Sequence, residues 1–210
     1  MNIGIIGSGN IGGSLGNIWA KKGHKVMFSG SRDRQKLQEV AKSAGENASI
    51  GSVAEAAQFG EVILLAVPWL AVEDALACTG TIEGKILIDS TNPIESNCSG
   101  LLVGWTNSGG EEVAKHVKGA RVVKAFNIVA ASIFQSESRL FGSERAVLFY
   151  CGDDKVAKIV VASLIEDVGF EPMDVGPLSS ARFLEPMEQL YEQIVKSGIT
   201  KEFAFTLARR

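Results

Sequence analysis

Short apolar runs alternate with stretches of helical spacing from the first residues to about position 175. Residues 3–6 form a run that fits a strand buried on both faces. Residues 10–22 follow with Ile11, Leu15, Ile18 and Trp19 on one helical face, and Gly23 ends that helix. Residues 24–28 read as a second strand, and residues 33–44 as a helix carrying Leu37, Val40, Ala41 and Ala44. Next come a short strand at 49–50, a helix capped by Ser52 and running to 57, a buried strand at 61–67 and a helix opened by Pro68. Strands at 85–89 and 121–126 enclose a polar loop over 90–110 and a short helix at 111–117. Strands at 146–150 and 170–175 bracket a helix begun by Asp153 or Asp154, with Val156, Ile159, Val160, Ser163 and Leu164 read as its apolar face. The tail reads as a helix with a stripe of Leu184, Met187, Leu190, Tyr191 and Ile194.

This alternation predicts an α/β fold of Rossmann type. Its sheet is doubly wound, mainly parallel and covered by helices on both faces, with a short C-terminal helical extension. Gly7-Ser8-Gly9-Asn10-Ile11-Gly12 falls where the first strand turns into the first helix, the context that gives a glycine fingerprint meaning. Gly7 allows the tight turn, Gly9 lets backbone approach a pyrophosphate, and Gly12 lets helix and strand pack closely. The free N–H groups and partial positive charge of the helix start then face the phosphates. The expected division is an NADP-binding domain over 1–176 and a helical extension over 177–210, packed on the same domain or on a dimer partner.

The end of the second strand selects the nucleotide. An NAD site places a carboxylate there for the ribose 2′-hydroxyl. Here the chain reads Phe28-Ser29-Gly30-Ser31-Arg32, and Asp33 reads as the cap of the next helix. Ser31 can donate to a phosphate, Arg32 can pair with it, and Lys36 adds a charge one turn on. The cofactor expected is NADP(H). Ala66, Val67 and Pro68, after the fourth strand, complete the cofactor-binding candidates. Asn92 and the pair Phe126-Asn127, after the fifth and sixth strands, are candidates for the hydride-acceptor site. The bland readings are a turn at Asn92-Pro93 and core packing for Phe126. No lysine or histidine stands out as an acid for a carbonyl oxygen, and only some 35 residues follow the last strand. Both features suit a flat flavin or deazaflavin ring, which carries its own electron sink.

Composition narrows the class further. The chain has 210 residues, 46% of them hydrophobic, and a net charge of -3. That size suits one α/β domain with an appendage. The weak acidity gives no reason to expect nucleic acid or anionic lipid as a partner. Cys78, Cys98 and Cys151 are scattered, and are expected as free, core-packed thiols in a reducing compartment. His24 and His116 are too few for a metal site. No basic leader precedes the first strand, and the longest apolar run is about half of the ~20 residues that span a bilayer. The expected location is the cytoplasm, with no membrane association.

The sequence resembles the coenzyme F420-dependent NADP oxidoreductase family, which is related to the reductase domains of the STEAP metalloreductases. The resemblance rests on the fingerprint, Gly30-Ser31-Arg32, Val67-Pro68-Trp69, Lys124-Ala125-Phe126-Asn127, Cys151-Gly152-Asp153-Asp154 and Gly176-Pro177-Leu178-Ser179-Ser180-Ala181-Arg182. It implies hydride exchange between NADP(H) and a deazaflavin or flavin (F420, FMN or FAD). It implies phosphate binding by Ser31, Arg32 and Lys36, and a homodimer built partly through C-terminal helices. Two other readings compete: a reductase of a small imine or carbonyl metabolite, similar to pyrroline-5-carboxylate reductase, and an NADP(H)-binding regulator without turnover.

Overall fold

The computed structural model describes residues 1–31, 33–95, 100–136, 138–141 and 144–208. The elements in chain order are β1 (Asn2–Ile6), α1 (Asn10–Lys21), β2 (Lys25–Ser29), α2 (Arg34–Ala44), β3 (Ala48–Ile50), α3 (Val53–Phe59), β4 (Val62–Leu65), α4 (Val72–Ala77), β5 (Ile86–Asp89), α5 (Gly109–His116) and β6 (Arg121–Lys124). Then follow α6 (Ala131–Gln135), β7 (Leu140–Phe141), β8 (Glu144–Arg145), β9 (Val147–Gly152), α7 (Lys155–Val168), β10 (Glu171–Asp174) and α8 (Ala181–Lys196). Eight strands form one sheet in the order β10-β9-β6-β5-β4-β1-β2-β3. β1 to β6 are mutually parallel, while β9 runs antiparallel to β6 and β10 runs parallel to β9. The expected Rossmann-type sheet is therefore present, extended by two reversed strands.

Alternation along each strand splits the core between the two faces. Ile3, Ile5, Val62, Leu64, Ile86, Ile88 and Val123 meet α1, α2 and α7. Ile6, Ile63, Leu65, Leu87 and Val122 meet the side of α3, α4 and α5. Local signals in the chain set several of the helix starts. Asp33 caps α2 by accepting from Gln35 N and Lys36 N, Ser52 and Glu55 form a capping box on α3, and Asp154 caps α7 through Ala157 N. No helix among the described residues is long and apolar enough to cross a membrane.

Several expectations are corrected. The strand expected to reach residue 126 stops at Lys124, because Phe126 adopts a left-handed φ of 63° that leaves the sheet. α6 and the β7–β8 hairpin were not expected at all. On α7 the buried residues are Ala157, Val161, Leu164, Ile165 and Val168, while Val156 and Ile159 face solvent at 60% and 70% exposure. The helix carries apolar residues at both phases, so periodicity alone does not choose between them. Its neighbours fix its rotation: the sheet edge at β9 and β10, and Trp19, whose indole N–H donates to the Leu164 carbonyl at 3.1 Å. On α8, Leu184 and Tyr191 of the stripe are buried while Leu190 is exposed, and Pro186 lies inside the helix. Cys78 is exposed, not in the core; Cys151 is buried, and Cys98 lies outside the described residues.

The rotation of α7 is directly testable. Val161→Ala is expected to lower the free energy of urea unfolding by ~1–3 kcal/mol, through the cavity it leaves. Ile159→Ser is expected to change it by less than ~0.5 kcal/mol.

Candidate active site

One row of paired residues crosses the sheet at the C-terminal ends of its strands. Ser29 pairs with Ile6, Ile6 with Leu65, Leu65 with Asp89, and Asp89 with Lys124. Most site candidates from the sequence follow directly on this row: Ser31, the fingerprint, Ala66 to Pro68, Asn92, and Phe126-Asn127; Lys36 lies further on, in α2. With strands spaced ~4.8 Å apart the row runs ~19 Å, long enough to support an extended dinucleotide.

At one end, the fingerprint closes a tight turn. Gly7 has φ 100°, and its position lies against Ala66, Val67 and the Gly30 backbone. A Cβ on Gly12 would overlap the Gly7 carbonyl oxygen, so glycine there is what lets α1 start against β1. Ser8 is buried, and its hydroxyl donates to the Ser29 carbonyl at 2.8 Å; this side chain ties β1 to β2. The N-terminus of α1 has no side-chain cap and no acid in its first turn. A Cβ on Gly9 would meet nothing within 4 Å. Bare N–H groups, a positive helix end and open space above glycine fit a pyrophosphate. Beyond β2, Asp33 is engaged in capping α2 and Ser31 Oγ donates to the Asp33 carbonyl at 2.9 Å. Lys36 is exposed on the first turns of α2. It shares a cavity of about 780 Å³ with Ser8, Gly9 and Asn10, along the outer side of α1. Arg32 lies outside the described residues.

At the other end stands a pair of amides. Asn92 Nδ2 donates to the Asn127 carbonyl at 2.8 Å, and Asn127 Nδ2 donates to Asn92 Oδ1 at 3.0 Å and to the Leu184 carbonyl at 3.2 Å. Asn127 Oδ1 is buried and has no hydrogen-bond partner among the described residues. Phe126 sends its ring away from the strand ends into the core, edge-on to Trp19 at 5.7 Å and near Phe134. Of the three acceptor-side candidates, Asn92 and Asn127 thus share one hydrogen-bonded unit, and Phe126 contributes through its backbone turn.

Beneath the amides lies a charge cluster that sequence reasoning missed. The Lys124 ammonium, fully buried, donates to Asp89 Oδ2 at 2.9 Å and to the Thr91 carbonyl at 2.6 Å, and pairs with Glu185 Oε1 at 2.8 Å. Asp89 Oδ1 accepts from Thr91 N and Thr91 Oγ1, and Glu185 accepts from Gly109 N and Gly110 N at the start of α5. Burial alone would push Lys124 toward the neutral amine, but Asp89 and Glu185 hold its pKa above the ordinary lysine value. The one available signal was opposite charges at the ends of two neighbouring apolar strands.

Residues 2–93 match the family described as NADP oxidoreductase, coenzyme F420-dependent. An F420-dependent NADP reductase from Methanothermobacter marburgensis is 32% identical over 209 residues, covering 90% of this chain and 90% of that protein. This chain belongs to the F420-dependent NADP oxidoreductase family. As a member it is an NADP-dependent oxidoreductase. The metalloreductase STEAP3 of Rattus norvegicus is 33% identical over 183 residues, 87% of this chain but only 35% of that protein, so the chain spans about a third of that relative's length. Among solved structures, a proposed F420-dependent NADP reductase from Arthrobacter sp. FB24 superposes with a TM-score of 0.88 at 26% identity, covering 99% of each chain.

Cys151, opposite Lys124 in the β6–β9 pairing, has its thiol pushed up to about 12 by burial. At pH 8 it is therefore protonated and inert. Iodoacetamide on the folded family member is expected to alkylate Cys78 and spare Cys151, read by peptide mass spectrometry; prompt labelling of Cys151 would contradict its burial.

Proposed function

We propose that this chain transfers a hydride between NADP(H), laid along the row from Ser29 to Lys124, and a flat acceptor of flavin or deazaflavin type (coenzyme F420, FMN or FAD) at its Asn92–Asn127 end. The observation that carries this reading is the character of the two ends. An uncapped helix start suits phosphates, and an unpartnered buried amide oxygen suits a ring N–H donor. When bound, the reduced nicotinamide supplies the hydride and the acceptor ring receives it. The protein's part is to hold two rings face to face at reacting distance. The charged groups of the cluster beneath the amides, Asp89, Lys124 and Glu185, are buried and paired among themselves, so the cluster offers positioning rather than a proton. That favours a ring acceptor over a carbonyl or imine, whose reduction calls for a proton donor.

Gly7, Ser8, Gly9, Asn10, Ile11 and Gly12 hold the pyrophosphate region, Ala66, Val67 and Pro68 the nicotinamide ribose, and Ser31, Arg32 and Lys36 the 2′-phosphate, the Ser31 hydroxyl turning its proton from the Asp33 carbonyl to the phosphate when the nucleotide binds. With Asp33 turned into a helix cap, no described carboxylate at the end of β2 is left to bond a 2′-hydroxyl or repel that phosphate.

Two measurements test this. Arg32→Ala and Lys36→Ala are each expected to weaken NADPH binding, Arg32→Ala by ~1.5–3 kcal/mol, with little change for NADH. Equal loss for both nucleotides would remove the 2′-phosphate assignment. In stopped flow with F420, FMN or FAD, Asn127→Ala is expected to slow NADPH oxidation at least ~10-fold while leaving NADPH affinity within ~2-fold. Turnover with cyclic imines and none with any of the three rings would replace the acceptor.

A further inference from the structure

The buried charge cluster and the amide pair are two storeys of one scaffold. Each storey draws on the same three segments, at neighbouring residues. At the end of β5 and just past it, Asp89 and Thr91 serve the charges and Asn92 serves the amides. At the end of β6 and just past it, Lys124 serves the charges and Asn127 the amides. In α8, Glu185 serves the charges and the carbonyl of Leu184 serves the amides. All three donors of the ammonium are used, and both oxygens of each carboxylate accept. Such a cluster is a poor source of stability, because well-packed apolar residues usually do as well. What it supplies is direction. Glu185 fixes the height and rotation of α8, and the carbonyl of the preceding residue, Leu184, therefore meets Asn127 Nδ2. With Nδ2 held by Asn92 and Leu184, Asn127 Oδ1 has one place to point.

We propose that Glu185 and Lys124 are positioning residues for the acceptor-side amide. The ion pair between α8 and β6 holds the Leu184 carbonyl and Asn92 against Asn127 Nδ2, and so orients Oδ1 toward the ligand ring. This rests on the reading that Asn127 touches the acceptor or the nicotinamide.

The test is a double-mutant cycle between Glu185→Gln and Asn127→Ala, read in two ways. The first readout is NADPH oxidation with F420 or FMN as acceptor. Glu185→Gln is expected to lower kcat ~5- to 20-fold at an NADPH affinity within ~2-fold of the parent, and the double variant to be no slower than Asn127→Ala alone. The second needs no turnover. The Asn127 side-chain NH2 pair, assigned by its disappearance in Asn127→Ala, is expected to exchange slowly in the parent and at least ~10-fold faster in Glu185→Gln, with the amides of α1 unchanged. If Glu185→Gln does not fold, Thr91→Val, which removes one hydroxyl from the same cluster, is put through the same cycle.

Additive losses would overturn the positioning role, as would an Asn127 NH2 pair equally protected in both proteins. An Asn127→Ala variant that turns over F420 and FMN like the parent would overturn the acceptor reading itself. Normal loss on Asn127→Ala with additivity would overturn only the inference.

Discussion

The structure turns on the contact between the start of α1 and the end of β1. A helix can begin there only if the residue at position 12 has no Cβ, because the Gly7 carbonyl oxygen occupies that space. From this contact the rest follows in order. The turn at Gly7 brings Gly30 and Ala66-Val67 against it, so the ends of β2 and β4 gather around one point. Ser8 then reaches the Ser29 carbonyl instead of capping the helix. The first N–H groups of α1 are left without a side-chain partner, at the place where a pyrophosphate would lie.

A second helix start on the same edge shows the alternative solution. At α5 the N–H groups of Gly109 and Gly110 meet the Glu185 carboxylate, and that of Glu111 meets Ser108 Oγ. The protein's own anion from α8 fills the position that a ligand phosphate would take at α1. One helix end is closed and structural, and the other is open and available. The Glu185 carboxylate that closes it also pairs with Lys124 at the end of β6, which makes the C-terminal segment part of the framework under the Asn92–Asn127 amides. α8 covers Lys124 and Asn127 directly, so changes in this helix reach the amide pair without crossing the rest of the fold.

Legibility in the sequence follows the range of the interactions. The β1–α1–β2 unit, the Asp33 cap and the Ser52 cap rest on contacts within a few residues, and spacing alone exposes them. The reversed direction of β9 and β10 is invisible to periodicity, since a buried strand reads the same either way. The rotation of α7 could not be read because both of its phases are apolar. On the acceptor side, Asn92 and Asn127 were legible as polar residues just past apolar strands, and Phe126 stood beside them for the same reason until its φ of 63° sent the ring inward. Lys124 and Asp89 were passed over because pairing them requires the strand register, and Glu185 because its partner lies far away in the chain.

Nucleotide preference comes down to where one carboxylate sits. A carboxylate at the end of β2 would accept from a ribose 2′-hydroxyl and repel a 2′-phosphate. In this chain the acid has moved past the strand end to Asp33, where Gln35 N, Lys36 N and the positive end of α2 hold it. Ser31 locks that arrangement from both sides, its Oγ accepting from Asp33 N at 3.2 Å and donating to the Asp33 carbonyl at 2.9 Å. The negative charge is thereby turned toward its own helix, and Lys36 presents the opposite charge on the cavity shared with the fingerprint. An acid returned to the strand end, in place of Ser31, would both release this lock and restore the repulsion. On the proposed reading, the same few residues set the start of α2 and the charge that a 2′-phosphate would meet.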